Sequence, residues 1–206
     1  WKCHGDIGVQ WDPQRPVERA IITHGHSDHA RPGHGHVLAT AETLDIMRVR
    51  LGSGAGGSLQ ALSPGERLTV GDVTVWLAPA GHILGSAQVV MEFQGQRAVV
   101  SGDYKRRADS TCAGFEVVPC DLFVTEATFA LPVFVHEPDA HEVAKVMDTL
   151  ATFPERTLQI GAYGLGKCQR VIALLREAGL DGPVWLHGAM KPLCDVYERH
   201  GIELGD

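Results

Sequence analysis

Seven consecutive residues, Thr23-His24-Gly25-His26-Ser27-Asp28-His29, constrain this chain more than any other stretch. Three imidazoles and a carboxylate fall between positions 24 and 29, directly after the apolar, β-branched run Val17 to Thr23, which reads as a strand. On a strand, His24 and His26 point to one face. In the loop that follows, Asp28 and His29 turn toward a second point nearby. This set suits two borderline metal ions, each with nitrogen and oxygen ligands. A lone histidine would be read as a core or surface residue, but an HxHxDH run at a strand end is a ligand pattern.

Two later segments add to it. Ala80-Gly81-His82-Ile83-Leu84-Gly85-Ser86 puts a histidine in a glycine-flanked turn after an apolar strand, and Val99-Val100-Ser101-Gly102-Asp103 puts a carboxylate at the end of another. Glycines there let the backbone bend so that each side chain enters a shared pocket. Taken singly, His82 reads as an isolated polar residue and Asp103 as a turn residue.

The 206 residues suffice for one sizeable domain, or one plus part of another. A hydrophobic share of 44% with 21% charged residues is that of an ordinary globular protein, and no apolar run reaches the roughly 18 residues of a membrane span. Five scattered cysteines (Cys3, Cys112, Cys120, Cys168, Cys194) form no CxxC pair, which points to a reduced, cytoplasmic setting. No signal peptide is read at the start; the chain opens on Trp1, and the true N-terminus is expected to lie upstream. The net charge of −7 argues against a globally basic nucleic-acid surface, although local charge and bound cations matter more than the sum.

The first half reads as strands broken by loops. A helix is expected over Thr40 to Leu51 with Thr40 as N-cap, then a flexible loop from Gly52 to Ser58. Strands follow at Leu68 to Val70, Val73 to Leu77, Ala87 to Phe93, Arg97 to Val100 and Asp121 to Thr125, the third and fourth forming a hairpin across Gln94-Gly95-Gln96. The second half alternates helices (Ala140 to Leu150, Lys167 to Ala178, Lys191 to His200) with short strands (Leu158 to Ile160, Val184 to Leu186). That is an α/β pattern, with the boundary placed near Pro132 to Pro138.

The ligand segments resemble those of the metallo-β-lactamase superfamily. The resemblance implies that His24, His26 and His82 hold one metal, that Asp28 and His29 help hold a second, and that Asp103 bridges them. Val124-Thr125-Glu126-Ala127-Thr128-Phe129 resembles the first extra motif of the β-CASP nuclease branch, with Glu126 orienting a ligand histidine. Ala162-Tyr163-Gly164-Leu165-Gly166-Lys167-Cys168-Gln169-Arg170 resembles the AYxLGKxQR stretch of bacterial ligase-associated DNA exonucleases. The fold implied is α/β: part of an αββα metallo-β-lactamase sandwich over residues 1–131, then the start of an inserted α/β β-CASP domain over 132–206. His136, His141, His187 and His200 lack the context of the family's further metal-ligating histidine, so the chain is expected to end before that ligand.

The function implied is a DNA exonuclease of DNA repair, in which two divalent ions, zinc or else manganese, generate hydroxide near neutral pH for in-line attack on a phosphodiester. Asp28, Asp103 and Glu126 are the expected catalytic carboxylates, and Lys105, Arg106 and Arg107 the candidate backbone-phosphate contacts. DNA is favoured over RNA, and an ATP-dependent DNA ligase and a helicase are the partners the resemblance implies. The alternatives are an RNA-processing β-CASP enzyme, a thioesterase- or lactamase-like hydrolase, and a scaffold without catalysis. A different class is a nucleotide-binding loop at Gly161 to Cys168, GxxxxGKC, where cysteine replaces the Ser or Thr that binds Mg²⁺. Gly52 to Gly57 fits GxGxxG but follows a helix rather than a strand, and His136 to His141 is not HExxH.

Overall fold

The computed structural model describes residues 8–205. The chain divides into two compact units between Glu126 and Ala127.

The first unit is built on two sheets. Strands β1 (Val9–Trp11), β2 (Arg19–Ile21), β3 (His36–Ala39) and β4 (Ser58–Ala61) pair in that order, all parallel. Strands β5 (Leu68–Val70), β6 (Val73–Pro79), β7 (Ala87–Phe93) and β8 (Gln96–Val100) form an antiparallel meander, and β9 (Leu122–Val124) adds to β8 in parallel.

Strand alternation separates the layers. Ile21 and Leu38 of the first sheet share one buried cluster with Val75, Leu77, Val89 and Val100 of the second. Their neighbours Ala20, Ile22, Val37 and Ala39 face the other way, onto Leu44 and Met47 of helix α1 (Ala41–Leu51). On the far side of the second sheet, Trp76, Ala78, Val90 and Val99 form a third cluster, covered by Val118. Each fully buried Leu, Ile or Val contributes about 1.5–3 kcal/mol, so slipping any one strand by one residue would exchange two apolar layers at large cost.

Thr40 caps α1 as expected, its hydroxyl accepting from Thr43 N at 3.3 Å. The expected hairpin across Gln94-Gly95 forms, while β1, β3 and β4 were not legible as strands. The loop expected over Gly52 to Ser58 is a turn of 3₁₀ helix (Gly52–Ala55) running into β4.

The second unit carries helices α2 (Asp139–Thr152), α3 (Lys167–Glu177) and α4 (Lys191–Arg199), close to the expected spans. Ile172, Ala173 and Leu175 of α3 and Leu193, Val196 and Tyr197 of α4 are buried, and Gln169 Nε2 of α3 donates to Cys194 Sγ of α4 at 3.4 Å. The strands expected at Leu158 to Ile160 and Val184 to Leu186 are not formed. Both stretches lie outside any described ladder, and Leu158, Ile160 and Trp185 are exposed. Their apolar, β-branched sequences suit a sheet, but a strand needs a neighbour to satisfy its amides. No described helix is long and apolar enough to cross a membrane.

Candidate metal centre

Strands β1 and β2 run in one direction, and β6, β8 and β9 share another common direction within their own sheet. Each of the five is followed at its C-terminal end by a polar residue of one cluster. Asp12 follows β1, the His24–His29 loop follows β2, His82 follows β6, Asp103 follows β8 and Glu126 follows β9. Strand ends deliver the side chains while the strands stay in the core, the arrangement by which open α/β sheets generally present ligands.

The histidine motif differs from its expected conformation. Strand β2 stops at Ile21, and His24 to His29 lie in a loop that tightens into a turn, with His29 N and Ala30 N both donating to His26 O at 3.2 and 2.8 Å. His24 and His26 therefore converge through a backbone turn rather than through strand alternation.

The convergence is close. His26 Nδ1 lies 3.1 Å from His24 Nε2 and 3.2 Å from His82 Nε2. Asp103 Oδ2 is 3.8 Å from His24 Nε2 and 3.7 Å from His82 Nε2. One donor atom from each of His24, His26, His82 and Asp103 falls within 4.8 Å of all the others. The other carboxylate oxygen of Asp103, Oδ1, faces His29 Nε2 at 3.3 Å, and His29 Nε2 is 3.7 Å from Asp28 Oδ2. Asp103 thus divides its two oxygens between two donor groups. Its approach depends on Gly102, at φ +55, where an added Cβ would lie 2.6 Å from Thr23 Oγ1.

Asp12, absent from the sequence reading, ties both groups together. Its Oδ1 accepts from Thr23 N at 2.8 Å, and its Oδ2 accepts from the Thr23 hydroxyl at 2.6 Å and lies 2.8 Å from His29 Nδ1. The Thr23 hydroxyl, donating to Asp12, accepts in turn from His24 Nδ1 at 3.1 Å. With Nδ1 engaged on both rings, Nε2 of His24 and of His29 is directed into the cluster, as metal-ligating histidines require. The only sequence signal for Asp12 is an acidic residue just after the short run Val9-Gln10-Trp11.

The charges follow from the surroundings. Burial pushes His24 well below the usual imidazole range, and the neighbouring His29, His82 and His26 push it further down. Burial likewise lowers His82 to about 4, against the opposing pull of Asp103 and Glu126. Burial also disfavours charge on His29, but the Asp103 and Asp12 carboxylates outweigh it and raise His29 to about 10. The His29 hydrogen bond in turn holds Asp103 below the ordinary carboxylate range, despite its burial. Neutral imidazoles beside an ionised carboxylate are the donor states a divalent cation needs, so His24, His82 and Asp103 fit such an ion as they stand.

Glu126 is half-buried, and its charge acts on His82. Lys105 also acts on His82, but its ammonium is paired with the nearly buried Asp109 carboxylate. Arg106 and Arg107 are exposed. His136, His141, His187 and His200 belong to the second unit. The loop at Gly161 to Cys168 is not arranged as a phosphate cradle. Gly166 N donates to Gln169 Oε1 at 2.8 Å, and Cys168 N donates to Tyr163 O at 3.0 Å, so two of the amides such a cradle would use are already committed.

Comparison with known proteins agrees with this geometry. No family model matches the chain. It is 34% identical over 203 residues, 95% of its length, to 19% of a probable DNA ligase of Opitutus terrae. It is 27% identical to a ribonuclease of Thermus thermophilus, over 94% of the chain and 48% of that protein. An endoribonuclease of Mycosarcoma maydis is 25% identical over 92% of the chain and 26% of its own length. The chain thus spans less than half of each of these curated relatives. A crystal structure of a protein of unknown function from Enterococcus faecalis shares the fold, with a TM-score of 0.58 at 15% identity over 87% of this chain and 49% of that one. Nucleases of the family to which these relatives point use divalent metals. These relatives support placing the chain with the β-CASP nucleases of the metallo-β-lactamase superfamily.

Proposed function

We propose that this chain carries the catalytic centre of a divalent-metal-dependent phosphodiesterase, a nuclease acting on DNA from an end and serving repair. The observation that carries this reading is the division of Asp103 between two donor groups. A shared carboxylate between two sets of nitrogen and oxygen donors suits a pair of ions. His24, His26 and His82 hold one cation, Asp28 and His29 help hold the other, and Asp103 serves both. Zinc suits this donor set, and manganese is the second choice.

When bound, the two ions supply Lewis acidity to a phosphodiester and lower the pKa of water at the site. The chain's own residues do the rest. Asp12 and Thr23 hold the imidazoles in the ligating tautomer, Glu126 orients His82, and Arg106 and Arg107 meet backbone phosphates. Lys105, the other candidate for that contact, acts through its pair with Asp109. The first unit is read as the αββα metallo-β-lactamase domain and the second as part of the inserted β-CASP domain. Cys112, Cys120, Cys168 and Cys194 form no disulfide, which suits a cytoplasmic setting.

DNA is favoured because the match to the probable DNA ligase covers 95% of this chain. That match also supports a DNA ligase as partner, with a helicase implied by family likeness alone. RNA cleavage is the second reading, favoured by the ribonuclease relative matched over 94% of the chain. The test is to measure bound metal together with cleavage of end-labelled single-stranded DNA and RNA, with Zn²⁺ or Mn²⁺ supplied, for wild type and His26→Ala. Two metals per chain, and shortening of DNA that His26→Ala abolishes, are expected. Cleavage of RNA alone moves the protein to the RNA-processing branch. Metal binding with neither nucleic acid cut rejects the nuclease reading.

A further inference from the structure

One helix grips both loops that carry ligand histidines. At its start, the hydroxyls of Thr40 and Thr43 both donate to Gly85 O, at 2.7 and 3.0 Å, within the loop that bears His82. Three residues after Thr43, Ile46 packs directly on Gly25, where an added Cβ would lie 2.5 Å from Ile46 Cγ2. One turn further on, Arg50 Nη1 donates to Gly25 O. Gly25 is the residue between His24 and His26, so its carbonyl reports the orientation of the turn that makes those two rings converge. The half-buried Arg50 guanidinium also feels the charge of Asp28.

Two orienting residues therefore divide the work. Asp12 fixes His24, through Thr23, and His29. Neither of its contacts reaches the backbone between the histidines or the Asp28 carboxylate. Arg50 serves the backbone between the histidines, and the fixed fork of its guanidinium suits a directed bond to a carbonyl.

We propose that Arg50 is a positioning residue of the metal centre: from the last turn of α1 it locks the Gly25 carbonyl, so that the HxHxDH loop is held in the ligating conformation before any ion arrives. This rests on the metal-centre reading above. Helix α1 then acts as a splint, setting the His82 loop at one end and the HxHxDH loop at the other.

The test compares wild type with Arg50→Met and Arg50→Gln. Zn²⁺ affinity is read by competition with a chromogenic chelator, and the melting temperature of the metal-free protein is read separately. Loss of an orienting partner typically weakens metal binding about 10–100-fold, and that is the expectation for Arg50→Met. Arg50→Gln keeps an amide donor without the charge and should fall between the two. If Arg50→Met does not fold, Arg50→Gln decides alone: wild-type affinity in that folded variant overturns the proposal. A lower melting temperature with unchanged affinity in either folded variant overturns it too, because that outcome is purely structural. Failure of wild type to bind Zn²⁺ brings down the metal-centre reading itself, an outcome distinct from any difference between variants.

Discussion

The two flanks of Asp103 are built differently. On one side His24 is fully buried, His82 is 26% exposed, and burial keeps both rings neutral. On the other side His29 is held charged between two carboxylates, and the Asp28 side chain is 71% exposed. The first flank is organised for a cation before one arrives. The second is organised around a proton that a cation must displace. Strand ends alone do not explain this, since all the ligands sit at strand ends. The difference lies in what stands behind each ring: the Thr23 hydroxyl behind His24 and the Asp12 carboxylate behind His29. The expected consequence is ordered loading, with the three-histidine flank filling at lower metal concentration.

The largest test of that asymmetry removes what the flanks share. Asp103→Ala deletes an oxygen donor from both, and should weaken both ions by more than about 100-fold, the upper end of what merely losing an orienting partner costs. Asp12→Ala comes next. It frees the His29 and His24 rings together and should weaken both ions about 10–100-fold, read by stepwise calorimetric titration. Asp28→Ala should instead weaken only the later-binding ion. If Asp28→Ala weakens the first ion as strongly, the two flanks are one site and the comparison fails.

The pH dependence should separate the flanks further. His29 has its folded value raised from 6.5 to about 10. In the metal-free protein its ion pairs therefore contribute stability that is fully present below about 6.5 and is lost as pH rises through about 10. A cation needs the neutral ring, so binding on that flank releases one proton and should tighten about tenfold per pH unit up to about 10. His82, at about 4, is already neutral across that range, so it adds no such slope on the other flank. Titrations in buffers of different ionisation enthalpy read the released proton directly. Equal pH slopes for the two ions would contradict the asymmetry.

The candidate donors were legible in the sequence because metal chemistry needs particular side chains at tight spacing, and the structure brings His24, His26, His82 and Asp103 together, with His29 beside Asp103 and Asp28. What the sequence hid was long-range. Asp12 reaches His29 across 17 positions, and Arg50 reaches Gly25 across 25. An ordinary Asp or Arg carries no local mark of such a contact. The strands divided in the same way. The long run at Val73–Pro79 and the hairpin partners declared themselves by apolar residues and a turn. β1, β3 and β4, at three or four residues each, take their identity from parallel neighbours distant in sequence. Leu158 to Ile160 and Val184 to Leu186 show the converse, since strand-like composition forms no strand without a partner to pair with.

The smallest expected effect lies at Glu126. Its charge acts on His82, which belongs to the three-histidine flank only. His82 is already held by its loop, where His82 N and Ile83 N both donate to Ser86 Oγ at 3.0 and 3.2 Å. Orientation of the ring is therefore partly secured without Glu126. Glu126→Gln keeps the shape and removes the charge, so it should weaken the first-binding ion by no more than about tenfold, the low end for an orienting partner. The second ion should be unaffected. Because burial rather than Glu126 dominates the His82 value, Glu126→Gln should leave the contribution of His82 to that pH profile unchanged. A loss confined to the second ion would mean that Glu126 serves His29 or Asp28 instead of His82.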